Sequence, residues 1–269
     1  MSGLEPRLPA HALGTILRFV RAHALAEGAT GVVVGLSGGI DSALTARLAR
    51  DALGAAHVLG VQLPDERFPA EIIAETDAFG RSLGIEVRTV PIDGAVRAIR
   101  ELLPEIADRV TLGNEVARVR MTVLYALARE RRRRVAGTGN KSELLLGYFT
   151  KYGDGGVDLL PIGDLYKTEV LALARELELP AAIRERPPSA GLWEGQTDEG
   201  ELGLPYAEID RILVGLEQLR DEGEIVERTG LSADVVRAIV QRVHASRHKR
   251  RPPPVAKVGL RTVGLDWRE

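Results

Sequence analysis

What most constrains the fold is a short apolar run, Val32-Val33-Val34-Gly35-Leu36, that breaks at once into Ser37-Gly38-Gly39-Ile40-Asp41-Ser42. A run of this length ended by a glycine pair reads as a buried strand turning directly into a helix. Such a turn gathers backbone N–H groups at the positive end of a helix dipole, where a phosphate group is favoured. A Cβ at position 38 or 39 would hold the backbone away from a pyrophosphate. Ser37 and Ser42 add hydroxyl donors. Asp41 is an anion in a place built for anions, which makes sense only if a cation such as Mg²⁺ accompanies the phosphates.

Neither G-x-x-x-x-G-K-[ST] nor G-x-G-x-x-G occurs in the chain, so the common NTPase loop and the dinucleotide fingerprint are both excluded. A third motif does occur. Gly35-Leu36-Ser37-Gly38-Gly39 matches the G-x-S-x-G nucleophile elbow of serine hydrolases. That elbow takes its oxyanion hole from an earlier strand of the same sheet, and the 34 residues before Gly35 read as one helix with no strand. The phosphate loop is preferred, with a serine hydrolase as the minority alternative.

The same alternation continues. Ala43, Leu44, Leu48 and Leu53 extend a helix that Gly54 ends, and residues 57–63 form a second buried strand. Ile72, Ile73, Phe79 and Leu83 mark a further helix, and residues 85–92 a third strand. This rhythm requires parallel pairing through right-handed crossovers. The expected fold is α/β, a doubly wound, mostly parallel, Rossmann-like sheet flanked by helices in a single domain over 1–269. It divides into an N-terminal helix at 9–27, a sheet core at 31–165, and a helical part at 166–254 that carries a lid loop. A long helical pattern at 112–133 either covers the sheet or makes a subunit contact, since Val116, Val119, Val123, Leu124 and Leu127 share one side. The run Arg131 to Arg134 reads as a solvated helix terminus, followed by a fourth strand at 134–138.

With 269 residues, 45% hydrophobic content and a net charge of −2, the chain can bury a sizeable core and offers no electrostatic reason to expect nucleic acid as a partner. It contains no cysteine, which removes disulfides, thiolate metal sites and cysteine nucleophiles together. No apolar stretch approaches the roughly 20 residues of a membrane span. Leu13, Ile16, Leu17, Val20, Ala24 and Leu25 recur at helical spacing among polar residues, so the N-terminus reads as an amphipathic helix and the protein as cytoplasmic.

Further polar segments follow. Gly137-Thr138-Gly139-Asn140-Lys141-Ser142-Glu143 repeats the glycine turn and helix, now with an acid inside the helix, and residues 148–158 form a glycine-rich loop bearing two carboxylates and a lysine. After a helix at 166–177, residues 186–198 lack periodicity and are rich in proline and glycine, as active-site lids often are; residues 186–204 and 64–69 are expected to be mobile without ligand. Two helical patterns at 206–219 and 232–244 precede a basic, proline-stiffened tail at 248–254. His244 and His248 stand four residues apart, but without a third ligand in register they do not read as a metal site.

In this order the motifs resemble a known family. Ser37-Gly38-Gly39-Ile40-Asp41-Ser42 is similar to the PP-loop of ATP pyrophosphatases. The segment 137–143, Gly147-Tyr148-Phe149-Thr150-Lys151-Tyr152-Gly153-Asp154-Gly155-Gly156, Pro187-Pro188-Ser189-Ala190-Gly191-Leu192, Gln196-Thr197-Asp198-Glu199 and His248-Lys249-Arg250-Arg251 narrow the resemblance to the bacterial NAD synthetases, over residues 10–254. The resemblance implies the adenine nucleotide alpha hydrolase type of fold and a carbon–nitrogen ligase. Such an enzyme amidates deamido-NAD (nicotinic acid adenine dinucleotide) to NAD⁺ with ammonia, through an adenylated intermediate, and releases AMP and pyrophosphate. It implies that Gly35, Leu36, Ser37, Gly38, Gly39, Ile40, Asp41, Ser42, Thr138, Lys167 and Ser189 bind the co-substrate ATP, and that Asp41 and Glu143 hold Mg²⁺. Arg118, Lys151, Asp158, His248 and Lys249 would bind deamido-NAD. Lys167 would neutralise phosphate charge, and Asp154 would capture ammonium or take its proton. A homodimer with the dinucleotide at the subunit interface is implied too. Glutamine-using relatives carry an amidase domain with a nucleophilic cysteine, so a cysteine-free chain of this length is expected to use free ammonia and to lack a glutaminase domain.

Overall fold

The computed structural model describes residues 3–189, 191, 193 and 195–266. Strands β1 (Val32–Gly35), β2 (Val58–Gln62), β3 (Glu86–Thr89) and β4 (Arg134–Ala136) form one wholly parallel sheet in the order β3-β2-β1-β4. Val33 lies level with Leu59 on one side and Val135 on the other, so β1 is a central strand buried on both faces, as its unbroken apolar run demands. Alternate residues of β1 serve different cores. Val32 and Val34 pack with Leu44 and Leu48, while Val33 packs with Leu59, Val61 and Val116.

Those two cores are the two helical layers. On the first face lie α1 (Ala12–Ala24), α2 (Ile40–Leu53) and α3 (Ala70–Ser82); on the second lie α4 (Asp93–Leu102) and α5 (Arg109–Glu130). One side of the long helix α5 covers its own sheet through Val116, Val119 and Ala128. From β1 the chain steps outward to β2 and β3, then returns to the other side of β1 as β4. The direction of winding therefore reverses between β1 and β4, and loops leaving the carboxyl ends of these two strands open a crevice.

The remainder is helical: α6 (Lys141–Leu146), α7 (Lys167–Glu176), α8 (Ala181–Arg184), α9 (Asp198–Leu202), α10 (Tyr206–Glu217), α11 (Glu222–Thr229), α12 (Ala233–Ala245) and a 3₁₀ turn at Ser246–Lys249. A third core joins α6, α9, α10, α11 and α12, built on Leu146, Tyr166, Tyr206, Ile209, Ile225 and Val236, whereas α7 and α8 pack into the first core through Val170, Leu173 and Ile183. Among the described residues no helix is long and apolar enough to cross a membrane.

Boundaries differ from the sequence expectation in physically clear ways. The N-terminal helix is shorter than 9–27 because Glu27, at φ 55°, breaks it into a separate 3₁₀ turn. The third strand stops at Thr89, although Val90 and Ile92 continue the apolar pattern, since they pack into the core from a loop. The arginine run is a correction in part. Arg131 and Arg132 are exposed at the end of α5, as a solvated helix terminus requires, with Arg131 paired to Glu86 at 3.2 Å, whereas the partly buried Arg133 donates to the Ala56 carbonyl at 2.8 Å and Arg134 pairs with Glu27 at the amino-terminal edge of the sheet.

Candidate active site

At the end of β1 the glycine turn is forced by space. Gly38 has φ 77°, and a Cβ there would lie 2.4 Å from Ile72 Cγ2. Hydroxyls shape the loop from within: Ser37 N–H donates to Ser42 Oγ at 3.2 Å, Gly39 N–H to Ser37 Oγ at 3.3 Å, and Ser42 O–H to the Gly39 carbonyl at 2.9 Å. No side chain caps the start of α2, which leaves its first N–H groups to an anion. The hydrolase alternative finds no support in this geometry, because Ser37 Oγ bonds Ser42 and Gly39 and no histidine among its described partners could act as a base.

Across the crevice, β4 ends in a capping box. Asn140 Oδ1 accepts the Glu143 N–H at 3.0 Å and Glu143 Oε2 accepts the Asn140 N–H at 3.1 Å, which fixes the Glu143 side chain at the first turn of α6. Asn140 Nδ2 donates to Asp41 Oδ1 at 3.0 Å and so joins the two loops. Lys167, the first residue of α7, is 1% exposed and completes the junction. Its Nζ lies 2.5 Å from Asp41 Oδ2, 3.6 Å from Glu143 Oε1 and 5.5 Å from the centre of the Tyr206 ring. Tyr206 in turn donates to the buried Asp198 at 3.3 Å.

The charges of this group are interdependent. Burial on its own would lower the Lys167 pKa, but Asp41 and Glu143 outweigh it and hold the ammonium protonated. Glu143 is pushed up to about 8 by desolvation and by the Asp41 charge, against the opposing pull of Lys167. Two carboxylates therefore share one ammonium, and Glu143 holds its proton well above the usual carboxylate range. Two carboxylates beside a phosphate loop suit Mg²⁺, which takes a few protein oxygens and completes its shell with phosphate oxygens and water. Among the described residues no group of three or more such ligands gathers without substrate.

A second group assembles along the carboxyl end of α6. Lys249 Nζ donates to the Gly147 and Phe149 carbonyls at 2.7 and 2.8 Å, Arg118 Nε reaches the Lys151 carbonyl at 3.4 Å, and Lys151 Nζ stands over the Tyr152 ring. Asp154 accepts the Thr150 N–H at 2.8 Å, and burial of its carboxyl raises its pKa against the opposing pull of that bond and of the Lys249 charge. His248 is exposed beside Lys249. Asp158 stands apart from these, accepting the Val135 N–H at 2.7 Å and the Tyr125 hydroxyl at 3.1 Å at the sheet edge. Thr138 lies on the loop after β4, and Ser189 is exposed on the 186–198 loop, where its hydroxyl accepts the Gly191 N–H at 3.1 Å. Ala190 and Leu192 of the motif around Ser189 fall outside the described residues.

Sequence reasoning assigned no role to four side chains that the fold brings into this site: Asn140, Asp198, Tyr206 and Arg186. Arg186 crosses the mouth of the glycine loop, donating to the Gly38 carbonyl and pairing with Glu75 on α3. Only Asn140 left a readable signal, its three-residue spacing to Glu143.

A parallel sheet whose switch point holds an uncapped glycine loop, two carboxylates and a buried lysine defines an α/β protein built to handle nucleotide phosphates. The NAD synthase family model matches residues 12–253, and the chain belongs to that family. An NH3-dependent NAD+ synthetase of Methanosarcina mazei is 47% identical over 251 residues, covering 92% of this chain and 98% of the relative. One of Archaeoglobus fulgidus is 47% identical over 244 residues, 90% and 95% of the two chains. Among solved structures, an NMN synthetase of Francisella tularensis superposes with a TM-score of 0.82 at 34% identity, covering 93% of this chain and 99% of that one. An NH3-dependent NAD synthetase of Campylobacter jejuni gives 0.78 at 31% identity, over 91% and 97%.

Proposed function

We propose that the protein is an ATP-dependent ligase that amidates deamido-NAD to NAD⁺ with free ammonia. The observation that carries this reading is the junction of Lys167 with Asp41 and Glu143 at the mouth of the glycine loop, in a chain of this family. A carboxylate is a poor acyl donor until it gains a leaving group. In the reaction proposed, the nicotinate carboxylate oxygen bonds to the ATP α-phosphorus as the bond to pyrophosphate breaks, and ammonia then bonds to the acyl carbon as AMP departs. The loop 35–42 with Thr138 and Ser189 binds ATP. Lys167 offers a fixed positive charge to the phosphates without needing to gain a proton, because its neighbours already keep it charged. Asp41 and Glu143 would hold Mg²⁺, which supplies charge neutralisation for the departing pyrophosphate. Arg118, Lys151, Asp158, His248 and Lys249 bind the dinucleotide, and Asp154 orients ammonium or accepts its proton.

We also read the enzyme as a homodimer. An apolar groove of about 310 Å³ between α4 and α5 supports this, lined by Ile99, Leu103, Ile106, Leu112 and Val119 and by Arg118 of the proposed dinucleotide site, with Leu102 and Val110 exposed near it. Sedimentation of a single monomeric species at micromolar concentration would contradict it. All reactants are small polar molecules, in keeping with a cytoplasmic enzyme.

Incubation with ATP, Mg²⁺, ammonium and deamido-NAD is expected to yield NAD⁺, AMP and pyrophosphate in equal amounts, and no NAD⁺ at high enzyme and ammonium would overturn the reading. Because one structural relative is named an NMN synthetase, nicotinic acid mononucleotide is the competing acceptor to run in parallel. The dinucleotide is expected to show the higher kcat/KM.

A further inference from the structure

Asp210, on α10, is completely buried, and the reaction above makes no use of it. Its carboxylate lies between the first turns of two helices. Oδ1 accepts the Ser142 hydroxyl at 2.5 Å, while Oδ2 accepts both the Thr168 N–H at 2.9 Å and the Thr168 hydroxyl at 2.8 Å. Ser142 Oγ accepts the Lys167 N–H at 2.9 Å, so the chain of bonds runs from Asp210 through Ser142 to the backbone of Lys167. Ser142 directly precedes Glu143 in α6, and Thr168 directly follows Lys167 in α7. Burying a carboxyl is costly and raises its pKa, and three donors oppose that cost here, the Ser142 hydroxyl and the Thr168 N–H and hydroxyl, all in the first turns of α6 and α7 where the dipoles favour negative charge. An apolar residue would fill the space but leave the Ser142 O–H and the Thr168 N–H without an acceptor.

We propose that Asp210 is a positioning residue: by tying the first turns of α6 and α7 to one carboxylate, it sets where Glu143 and Lys167 face each other across the site. Lys167 has a long, flexible side chain. With its backbone N–H anchored through Ser142 and its Nζ against Asp41, both ends are fixed and little rotational freedom is left to the amine. Glu143 is held in the same way, by Ser142 on one side and the Asn140 cap on the other. The inference rests on the ligase reading.

Asp210→Asn preserves the shape. With the amide oxygen kept on Thr168, the amide nitrogen faces Ser142 Oγ as a donor, and the Ser142 proton loses its acceptor. At a temperature where circular dichroism shows the variant folded, kcat is expected to fall about tenfold or more, with KM for deamido-NAD within about twofold of wild type. Thr168→Ser, which keeps the hydroxyl, is expected to stay near wild-type kcat, whereas Thr168→Val falls. Ser142→Ala combined with Asp210→Asn is expected to cost no more than Asp210→Asn alone, because both act through one chain of bonds. A lower melting temperature with unchanged kcat, or fully additive losses, would make Asp210 a purely structural residue and overturn the proposal. Wild-type protein that binds ATP in calorimetry but makes no NAD⁺ overturns the reaction instead, and wild-type turnover matched by Asp210→Asn overturns only the positioning role.

Discussion

Lys167 keeps its charge where burial alone would disfavour it, because two carboxylates 102 residues apart in sequence, at the first turns of α2 and α6, converge on its amine. Removing one partner of a buried ion group is far more disruptive than removing an exposed one, since the remaining charges stay desolvated. Asp41→Asn removes the carboxylate shared by Asn140, Lys167 and the proposed cation. Pyrophosphate release is expected to drop by about two to three orders of magnitude while circular dichroism stays that of the wild type, and near-normal turnover would refute the role. Glu143 gives a pH signature. Its pKa rises from 4.5 in an open chain to about 8 in the fold, so between those values the native state holds a proton that the unfolded state has lost. The stability this provides is complete below about pH 4.5 and is lost as pH rises through about 8. The melting temperature of ligand-free protein is thus expected to decline across this window, and Glu143→Gln to flatten the decline. Mg²⁺ affinity, which requires the carboxylate, is expected to run the other way and strengthen toward pH 8. At this scale Asp41 and Glu143 were legible from their motifs and Lys167 only through the family resemblance, while Asn140 left a capping spacing that went unread. Arg186, Asp198 and Tyr206 were not, because their roles depend on distances between segments that no local pattern encodes.

Among the elements, the glycine turn after β1 and its counterpart after β4 are alike in plan but differ in how they open a helix. The first leaves the start of α2 uncapped, whereas the second closes α6 with the Asn140 and Glu143 box. The far end of α6 matters too. Gly147 ends it in the left-handed region at φ 66°, and a Cβ there would lie 2.2 Å from Ser246 Cβ in the 3₁₀ turn that carries His248 and Lys249. Gly147→Ala is expected to cost about 1–3 kcal/mol of stability in chemical denaturation. By shifting that turn it should raise KM for deamido-NAD more than KM for ATP, and equal effects on both would place the basic turn outside the dinucleotide site. The tail itself was only partly legible. Its basic composition did not reveal that Lys249 and Arg250 donate to carbonyls at the carboxyl end of α6, where the dipole favours cations. Helices α4 and α11 were not predicted: α4 does carry apolar residues at helical spacing, Val96, Ile99 and Leu102, but both helices are short and each buries a single residue fully, Val96 and Ile225. The strands were clear because β1 and β2 are buried on both faces, whereas β3, on the sheet edge, was overextended into its loop.

For the whole molecule, the rhythm of strands and helices sufficed to predict a parallel, doubly wound sheet, because crossover handedness leaves few other topologies. It did not show that the winding reverses between β1 and β4, which requires knowing that the fourth strand returns beside the first. That reversal places the two glycine turns together, and the helical core behind α6 and α7 brings Lys167 and Asp210 to the same place. The central claim is that this junction serves attack on the α-phosphorus of ATP. Deamido-NAD labelled with ¹⁸O in its nicotinate carboxylate tests it directly: with ATP, Mg²⁺ and ammonium, one ¹⁸O is expected in the phosphate of AMP and none in pyrophosphate. Label in inorganic phosphate alongside ADP, or unlabelled AMP, would contradict the account.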